Sequence, residues 1–452
     1  MDLKNRCVVV EGSGISGIGA CHLLNQVGAH VILHDSNEKL TEDELLAKLN
    51  GDKAELIIGK LEDEKIKAAD LLVISPGVPI DSEIVKRFEA ADKPVWGEIE
   101  LAYNYEAGKV LAITGTNGKT TTTSLVGEIV KAWGKKTFVV GNIGHSYTLE
   151  VLGTDKDSYT VAEISSFQLE TVHDFKPAVS AILNITPDHL NRHHTMECYI
   201  ETKEKIAMNQ SESDICVLNY DDSELRKFAN ACKPKIYWFS SSEKVPCGSY
   251  VENDEIIFTD GEQETKMLNV HDMNLIGRHN YENVCAAINV CMAAGIPVDV
   301  IVETVKKFKA VEHRIEYVAT KNGVLYYNDS KGTNPEASVK AIEAMSRPTY
   351  LIGGGYDKGS EFDLYVKAFA PNIKKLILIG QTSEKIAATC DKYGFKNYQF
   401  VESLEEVVDI CHKEALPGEA VLLSPACASW GMFDNYEQRG RMFKDFVNAL
   451  ED

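Results

Sequence analysis

An apolar run, Val110-Leu111-Ala112-Ile113, leads directly into Thr114-Gly115-Thr116-Asn117-Gly118-Lys119-Thr120-Thr121. Ser124-Leu125-Val126-Gly127-Glu128-Ile129-Val130 follows with its apolar residues at helical spacing. A strand, a glycine loop and a helix start in that order point to an α/β layer, because the strand must be covered by the helix that follows it. They also form an anion cradle. Loop N–H groups and the positive helix end face outward, Lys119 adds a point charge, and the Thr120 hydroxyl is placed to reach Mg²⁺. The stretch departs from the strict spacing G-x-x-x-x-G-K-[ST], since Ile113 stands where the first glycine belongs. A plain glycine turn with an incidental lysine is the competing reading. The context favours ATP or GTP bound with magnesium.

At 452 residues the chain is too long for one ordinary core and suggests about three domains. A formal charge of −21 argues against a nucleic-acid partner. It also means that any polyanionic ligand must be gripped locally against an unfavourable overall field. The 11 cysteines include no C-x-x-C pair, so scattered reduced thiols in a cytoplasmic protein are expected. No apolar run reaches membrane-span length, and Met1–Arg6 lacks the apolar core of a secretion signal, so no membrane association is expected.

Three α/β segments follow one another, expected at 1–97, 98–309 and 310–452. The first opens with strand Cys7–Val10, the loop Gly12-Ser13-Gly14-Ile15-Ser16-Gly17, and an amphipathic stretch to about Val27. Strands at Val31–His34 and Leu71–Ile74 end on Asp35-Ser36 and Ser75-Pro76-Gly77, the strand ends at which doubly wound sheets bind ligands. The second continues past the glycine loop through strands near Thr137–Val140, Tyr159–Ala162 and Ala181–Leu183, to a helix carrying Asn280 and Asn283. The third has strands near Val324–Tyr327, Thr349–Ile352, Leu376–Ile379 and Val421–Leu423. Glu384–Cys411 reads as ordinary surface helix and strand.

Several strand ends carry reactive side chains. Taken alone, the Gly12 loop with Asp35 beyond it fits a nicotinamide-dinucleotide fingerprint; with a second phosphate loop a hundred residues later it reads more as a second diphosphate site, a plain tight turn being the alternative. Glu163 closes an apolar strand near that loop, a natural position for a magnesium ligand, with a solvated surface glutamate as the alternative. Asn184-Ile185-Thr186-Pro187-Asp188-His189 closes another, with Pro187 setting the turn. The third segment supplies Val311-Glu312-His313-Arg314, Asn328 to Asn334, Gly353 to Gly359, and Ser424 to Ser429. Lys331 and Lys358, with hydroxyls and a glycine loop, would suit a small carboxylate.

This ordered set resembles the ATP-dependent Mur ligases of peptidoglycan synthesis. The resemblance rests on Thr114 to Thr121, Gly141-Asn142-Ile143-Gly144, Glu163 to Glu170, Asn184 to His189, His279-Asn280-Tyr281-Glu282-Asn283, His313-Arg314 and Asn328 to Lys331. Ser424 to Trp430 and Glu437-Gln438-Arg439-Gly440 are similar to the D-glutamate-adding branch. The resemblance implies an N-terminal Rossmann-like domain for a uridine nucleotide, a central phosphate-loop ATPase domain and a C-terminal Rossmann-like domain. It implies UDP-N-acetylmuramoyl-L-alanine and D-glutamate as partners, two Mg²⁺ ions and a monomer. In such ligases the substrate carboxylate attacks ATP, and an amine captures the acyl phosphate.

By position the resemblance makes Gly115, Thr116, Asn117, Gly118, Lys119, Thr120, Thr121, Asn280, Asn283, Arg314 and Asp329 contacts to ATP, with Lys119 catalytic. It makes Thr120 and Glu163 ligands of one Mg²⁺ and His189 of the other. Ser16, Asp35, Ser36, Ser75 and Gly77 fall on the uridine nucleotide, and Asn142, Ser165 and Gln168 on the muramoyl end. Lys331, Thr333, Lys358, Ser429 and Tyr436 fall on D-glutamate, where relatives often carry Phe in place of Tyr436. The loop Asn191 to Met196 also departs from the family pattern. Tyr199 to Ile206 resembles the segment in which a lysine is carbamylated to ligate the second Mg²⁺, which selects Lys203; a charged helix face is the bland alternative. Rival readings are a sister amide ligase such as a folylpolyglutamate synthase, a nicotinamide-dependent oxidoreductase and a non-catalytic nucleotide switch.

Overall fold

Five parallel strands form the first sheet: β1 (Cys7–Glu11), β2 (His30–Asp35), β3 (Glu55–Ile58), β4 (Leu71–Ile74) and β5 (Val95–Gly97), in the order β3-β2-β1-β4-β5. The order reverses between β1 and β4, so their C-terminal ends open a crevice with the Gly12 loop at its floor. In this computed structural model residues 1–309 and 311–451 are described. The expected boundary residue 310 lies outside them.

The second sheet has nine strands: β6 (Lys109–Thr114), β7 (Thr137–Gly141), β8 (Tyr159–Glu163), β9 (Val179–Ile182), β10 (Ile215–Asn219), β11 (Lys235–Ser240), β12 (Gly248–Glu252), β13 (Glu255–Thr259) and β14 (Glu264–Asn269). Their order is β14-β13-β12-β11-β10-β9-β6-β8-β7. β6 lies between β8 and β9 and parallel to both, which sets the ends of all three strands side by side. The burial of β6 on both faces explains its unbroken apolar run. Strands β10 to β14 extend this sheet beyond the strands read from sequence. β12 and β13 form an antiparallel hairpin across Asn253-Asp254, both with positive φ (50° and 62°). That is type I′ turn geometry, here without the Asn-Gly pair that normally announces it.

The third sheet holds β15 (Glu316–Lys321), β16 (Val324–Asn328), β17 (Thr349–Gly353), β18 (Ile373–Ile379), β19 (Tyr398–Val401) and β20 (Ala420–Leu423). The order is β15-β16-β20-β17-β18-β19, parallel apart from the antiparallel edge pair β15–β16. Ile386, Cys390, Leu404, Val407 and Cys411 are buried in its cores, so the stretch read as ordinary surface structure contributes to packing. No helix among the described residues is long and apolar enough to cross a membrane.

The chain folds as two compact units, Met1–Leu268 with Glu282–Val305, and Asn269–Tyr281 with the residues from Lys306 onward. Within the first unit one apolar cluster runs from Leu23, Leu33 and Trp96 to Val110, Tyr147 and Ile182, so the first two sheets share a core. The helix Ile15–Gln26 begins at the Gly12 loop, and its Gly17 packs onto that loop's backbone. A Cβ at Gly17 would overlap the Gly12 carbonyl, whereas Gly14 borders open space. Gly17→Ala is therefore expected to cost about 1–3 kcal/mol of stability and Gly14→Ala much less, as read from denaturant midpoints.

Candidate active site

The glycine loop owes its shape to two backbone positions closed to ordinary side chains. Gly115 has φ 151° and Gly118 φ 84°, and a Cβ at Gly115 would press on Leu183. Gly118 caps the helix Lys119–Ala132, so that helix points its unsatisfied N–H groups into the loop. Asn184 steadies the loop from β9: its Oδ1 accepts from the Asn117 N–H at 2.8 Å and its Nδ2 donates to the Asn117 carbonyl at 3.1 Å. The Thr116 hydroxyl donates to the Thr186 carbonyl at 3.1 Å and lies 3.0 Å from the Tyr199 hydroxyl. Lys119 Nζ donates to the Gly115 and Thr116 carbonyls at 2.9 and 3.0 Å. On the same helix the Thr122 hydroxyl reaches Asn283 Oδ1 at 3.5 Å.

Glu163, at the end of β8, pairs in register with Ile113 just before the loop. It is 1% exposed. Its Oε1 accepts from Asn142 Nδ2 at 2.8 Å, while Oε2 is buried without a partner. A buried carboxylate oxygen left unsatisfied beside a phosphate cradle fits a hard cation. No three His, Cys, Asp or Glu side chains cluster as a metal site among the described residues. A magnesium site needs fewer, because phosphate oxygens, a threonine hydroxyl and water complete its shell. His189 takes φ 51°, and its half-exposed ring lies 4.9 Å from the Phe167 ring.

Lys203, on the helix Met196–Glu204, is 1% exposed and donates to the Gly115 carbonyl at 2.9 Å. Two lysines thus meet one carbonyl. Burial foremost, and the Lys119 cation second, push the Lys203 amine well below the ordinary lysine range, with Asp188 pulling weakly the other way. The resemblance singles out Lys203 against the plainer reading of a charged helix face; its burial is a tertiary fact.

In the first sheet the crevice is organised around Asp35. Its Oδ2 accepts from both the Ser13 N–H (2.9 Å) and the Ser13 hydroxyl (2.6 Å). Burial would raise its pKa, but these bonds together hold it below the usual value. Ser36 and Gly77, which follow the ends of β2 and β4, are exposed, and Ser75 reaches back to the Gly12 carbonyl at 3.4 Å. Ser165 and Gln168 form a capping box, and Gln168 Nε2 donates to Glu98 Oε1 at 2.6 Å. Burial raises the pKa of this Glu98 carboxyl, against the pull of Ser16 and Gln168. Glu98 thus ties the helix Glu98–Tyr103 to the Ser165–Gln168 turn, and the sequence pattern does not single it out.

In the second unit the ends of β16, β20 and β17 lie in register, which brings Asp329, Ser424 and Gly354 to one edge. Asp329 is buried, accepting from the Ser424 hydroxyl at 2.7 Å and the Ile315 N–H at 3.3 Å. Burial lifts its pKa to about 7, against the pull of Ser424 and Arg314. The Ser338 hydroxyl, also unforeseen, takes part in bonds with Ser424 and the Ala426 N–H, holding Ala426 at φ 58°. Arg439 is buried with its guanidinium on the Ser330 hydroxyl and on the Ser330 and Cys427 carbonyls. Lys331 Nζ lies 5.8 Å from the Tyr436 ring centroid and Lys358 Nζ 5.1 Å from that of Trp430. Ser429 is buried near this edge, Thr333 donates to the Lys331 carbonyl at 2.9 Å, and Asn280 Nδ2 donates to the Ile276 carbonyl at 2.7 Å.

A doubly wound crevice, a glycine loop with an orphaned acid beside it, and a third sheet with Lys331 and Lys358 beyond its strand ends fit an ATP-dependent ligase, and the chain belongs to the Mur ligase family. Family models match over residues 5–97 (Mur ligase MurD-like, N-terminal domain), 113–291 (Mur ligase middle domain) and 313–427 (Mur ligase, glutamate ligase domain). The UDP-N-acetylmuramoylalanine–D-glutamate ligase of Lachnospira eligens is 70% identical over the whole of both chains. Its counterpart in Clostridioides difficile is 44% identical, again over both chains entire. The solved UDP-N-acetylmuramate-alanine ligase of Thermotoga maritima shares the fold, with TM-score 0.60 at 18% identity over 98% of this chain and 99% of that one. So does a MurF ligase of Thermotoga maritima in complex with ADP, with TM-score 0.59 at 17% identity over 99% and 96%.

Asp329 also predicts a pH dependence. Its pKa rises from 3.8 unfolded to about 7 folded, so the neutral carboxyl stabilises the fold fully below 3.8, and that contribution is lost as pH rises to about 7. Asp329→Asn removes the ionisation. Its melting temperature relative to the unsubstituted protein is expected to climb between pH 4 and 7, by an amount worth a few kcal/mol. A constant difference across that window would show that Asp329 stays ionised.

Proposed function

We propose that this chain joins D-glutamate to UDP-N-acetylmuramoyl-L-alanine at the expense of ATP, in peptidoglycan precursor synthesis. The observation that carries the chemistry is the unpartnered Glu163 oxygen beside a phosphate loop faced by two lysines. The full-length relatives support the choice of substrates.

The carboxylate of the nucleotide substrate attacks the γ-phosphorus, the bond to the bridging oxygen breaks, and ADP leaves an acyl phosphate. The D-glutamate amine then adds to the acyl carbon, loses its proton and expels phosphate. No protein nucleophile is required, so the residues act by positioning and electrostatics. The N–H groups of Gly115 to Thr121 hold the phosphates, with Lys119 offsetting their charge. Asn280, Asn283, Arg314 and Asp329 contribute to the ATP site. Ser16, Asp35, Ser36, Ser75 and Gly77 hold the uridine nucleotide, and Asn142, Ser165 and Gln168 its muramoyl end. Lys331, Thr333, Lys358, Ser429 and Tyr436 receive D-glutamate. Thr120, Glu163, His189 and Lys203 would hold two Mg²⁺ ions, which when bound neutralise charge building on the transferred phosphoryl group.

A cationic Lys203 would repel metal. Its depressed pKa supports a neutral amine, the form that adds CO₂ to give a carbamate, releasing one proton. The protein is proposed to act as a cytoplasmic monomer without nucleic acid.

The deciding assay is phosphate release from ATP across a panel of amino acids. Release is expected only with UDP-N-acetylmuramoyl-L-alanine and D-glutamate together. Equal rates with L-glutamate would point to a sister amide ligase, and hydride transfer without ATP turnover to an oxidoreductase. Lys203→Ala is expected to lose about 10²-fold or more in turnover and to regain part of it with added short carboxylic acids. Full activity of that variant would remove Lys203 from the site.

A further inference from the structure

Arg192 lies in the short helix Leu190–His193, directly after the strand-end segment Asn184–His189. Its side chain is 12% exposed and that of its partner Glu170 4%. Nε donates to Glu170 Oε1 at 3.1 Å and Nη2 to Oε2 at 2.5 Å. The same Nη2 donates to the Val78 carbonyl at 2.7 Å, and the Val78 N–H donates to the Ser75 carbonyl at 2.9 Å, so Arg192 closes the turn Ser75–Val78 from outside. The guanidinium also sits 5.0 Å from the Phe167 ring centroid, and that ring packs 4.9 Å from His189. Glu170 and Phe167 belong to the segment that begins at Glu163. One side chain therefore touches the turn assigned to the uridine nucleotide, the segment carrying the muramoyl contacts, and the ring beside His189.

We propose that Arg192 is a positioning residue for the nucleotide substrate, with Glu170 as its counter-ion. It sets the turn Ser75–Val78 at a fixed distance from His189 and from Ser165–Gln168. This rests on the functional reading above. A planar guanidinium fork satisfies both carboxylate oxygens and the Val78 carbonyl at once, whereas a lysine ammonium cannot reproduce that geometry. A substrate that spans both loops has its carboxylate placed by their separation. Loosening the clamp displaces the reacting carboxylate from the γ-phosphate while leaving ATP binding intact.

The test uses Arg192→Lys, Arg192→Ala and the double variant Arg192→Met with Glu170→Met, which removes both charges at similar volume. Affinity for UDP-N-acetylmuramoyl-L-alanine is measured by calorimetry without ATP, and kcat and KM by phosphate release. Arg192→Lys and the folded double variant are expected to bind the nucleotide more weakly and lose about a hundredfold in kcat/KM for it, with KM for ATP unchanged. Methylguanidinium should partly restore Arg192→Ala, and methylammonium should not. Wild-type affinity and kcat/KM in the double variant would overturn the proposal, because the pair would then serve only to neutralise buried charge. Failure of the unsubstituted protein to bind this nucleotide would overturn the functional reading, and the proposal with it.

Discussion

The Gly115 carbonyl accepts from Lys119 at 2.9 Å and from Lys203 at 2.9 Å, and the first unit's chemistry is arranged around that shared oxygen. Two ammonium groups on one acceptor would repel each other, and burial together with the Lys119 cation accordingly pushes the Lys203 amine well below the ordinary lysine range. Such a pair persists only where the surrounding structure holds it. Here the Asn184 side chain, the Thr116–Tyr199 hydroxyl contact and the positive-φ glycines hold the loop in shape.

The acids follow the same logic of environment. Glu163 has one oxygen satisfied by Asn142 and one unpartnered, while Asp35 is fully engaged by Ser13 and Asn37. Asp329 is lifted to about 7 by burial. Asp35 and Asp329 thus differ in proton affinity, and Glu163 is set apart by its unpartnered oxygen, because each strand end delivers a different set of neighbours. The Arg192–Glu170 pair is another case, a desolvated charge made tolerable by a fork that also holds a backbone turn.

Much of this was legible in the chain. The run Val110–Ile113 with its glycine loop specified a buried strand feeding a helix, and in a parallel sheet such a strand has no polar face to alternate. The ordered motifs from Gly12 to Gly440 fixed the family and the sequence of its three sheets. Less was legible where signals are short. β10 to β14 are strands of five or six residues whose hairpin turn is Asn-Asp, and helices such as Ser383–Lys392 and Leu404–Glu414 show their buried faces only once a sheet is present to receive them.

Sequence alone determined the fold class, the phosphate cradle and the identity of the residues at each strand end, because local backbone geometry and hydrophobic period are written in neighbouring positions. Tertiary structure alone decided their chemistry. Whether Lys203 is a solvated cation or a desolvated amine depends on Gly115, Lys119 and Tyr199, which lie 80 residues or so away or sit beneath it on its own helix. Whether Glu98 and Arg192 are surface charges or buried ties depends on Gln168, Glu170 and Val78. Charge state and positioning arise from burial and from partners distant in sequence, and no local pattern encodes them.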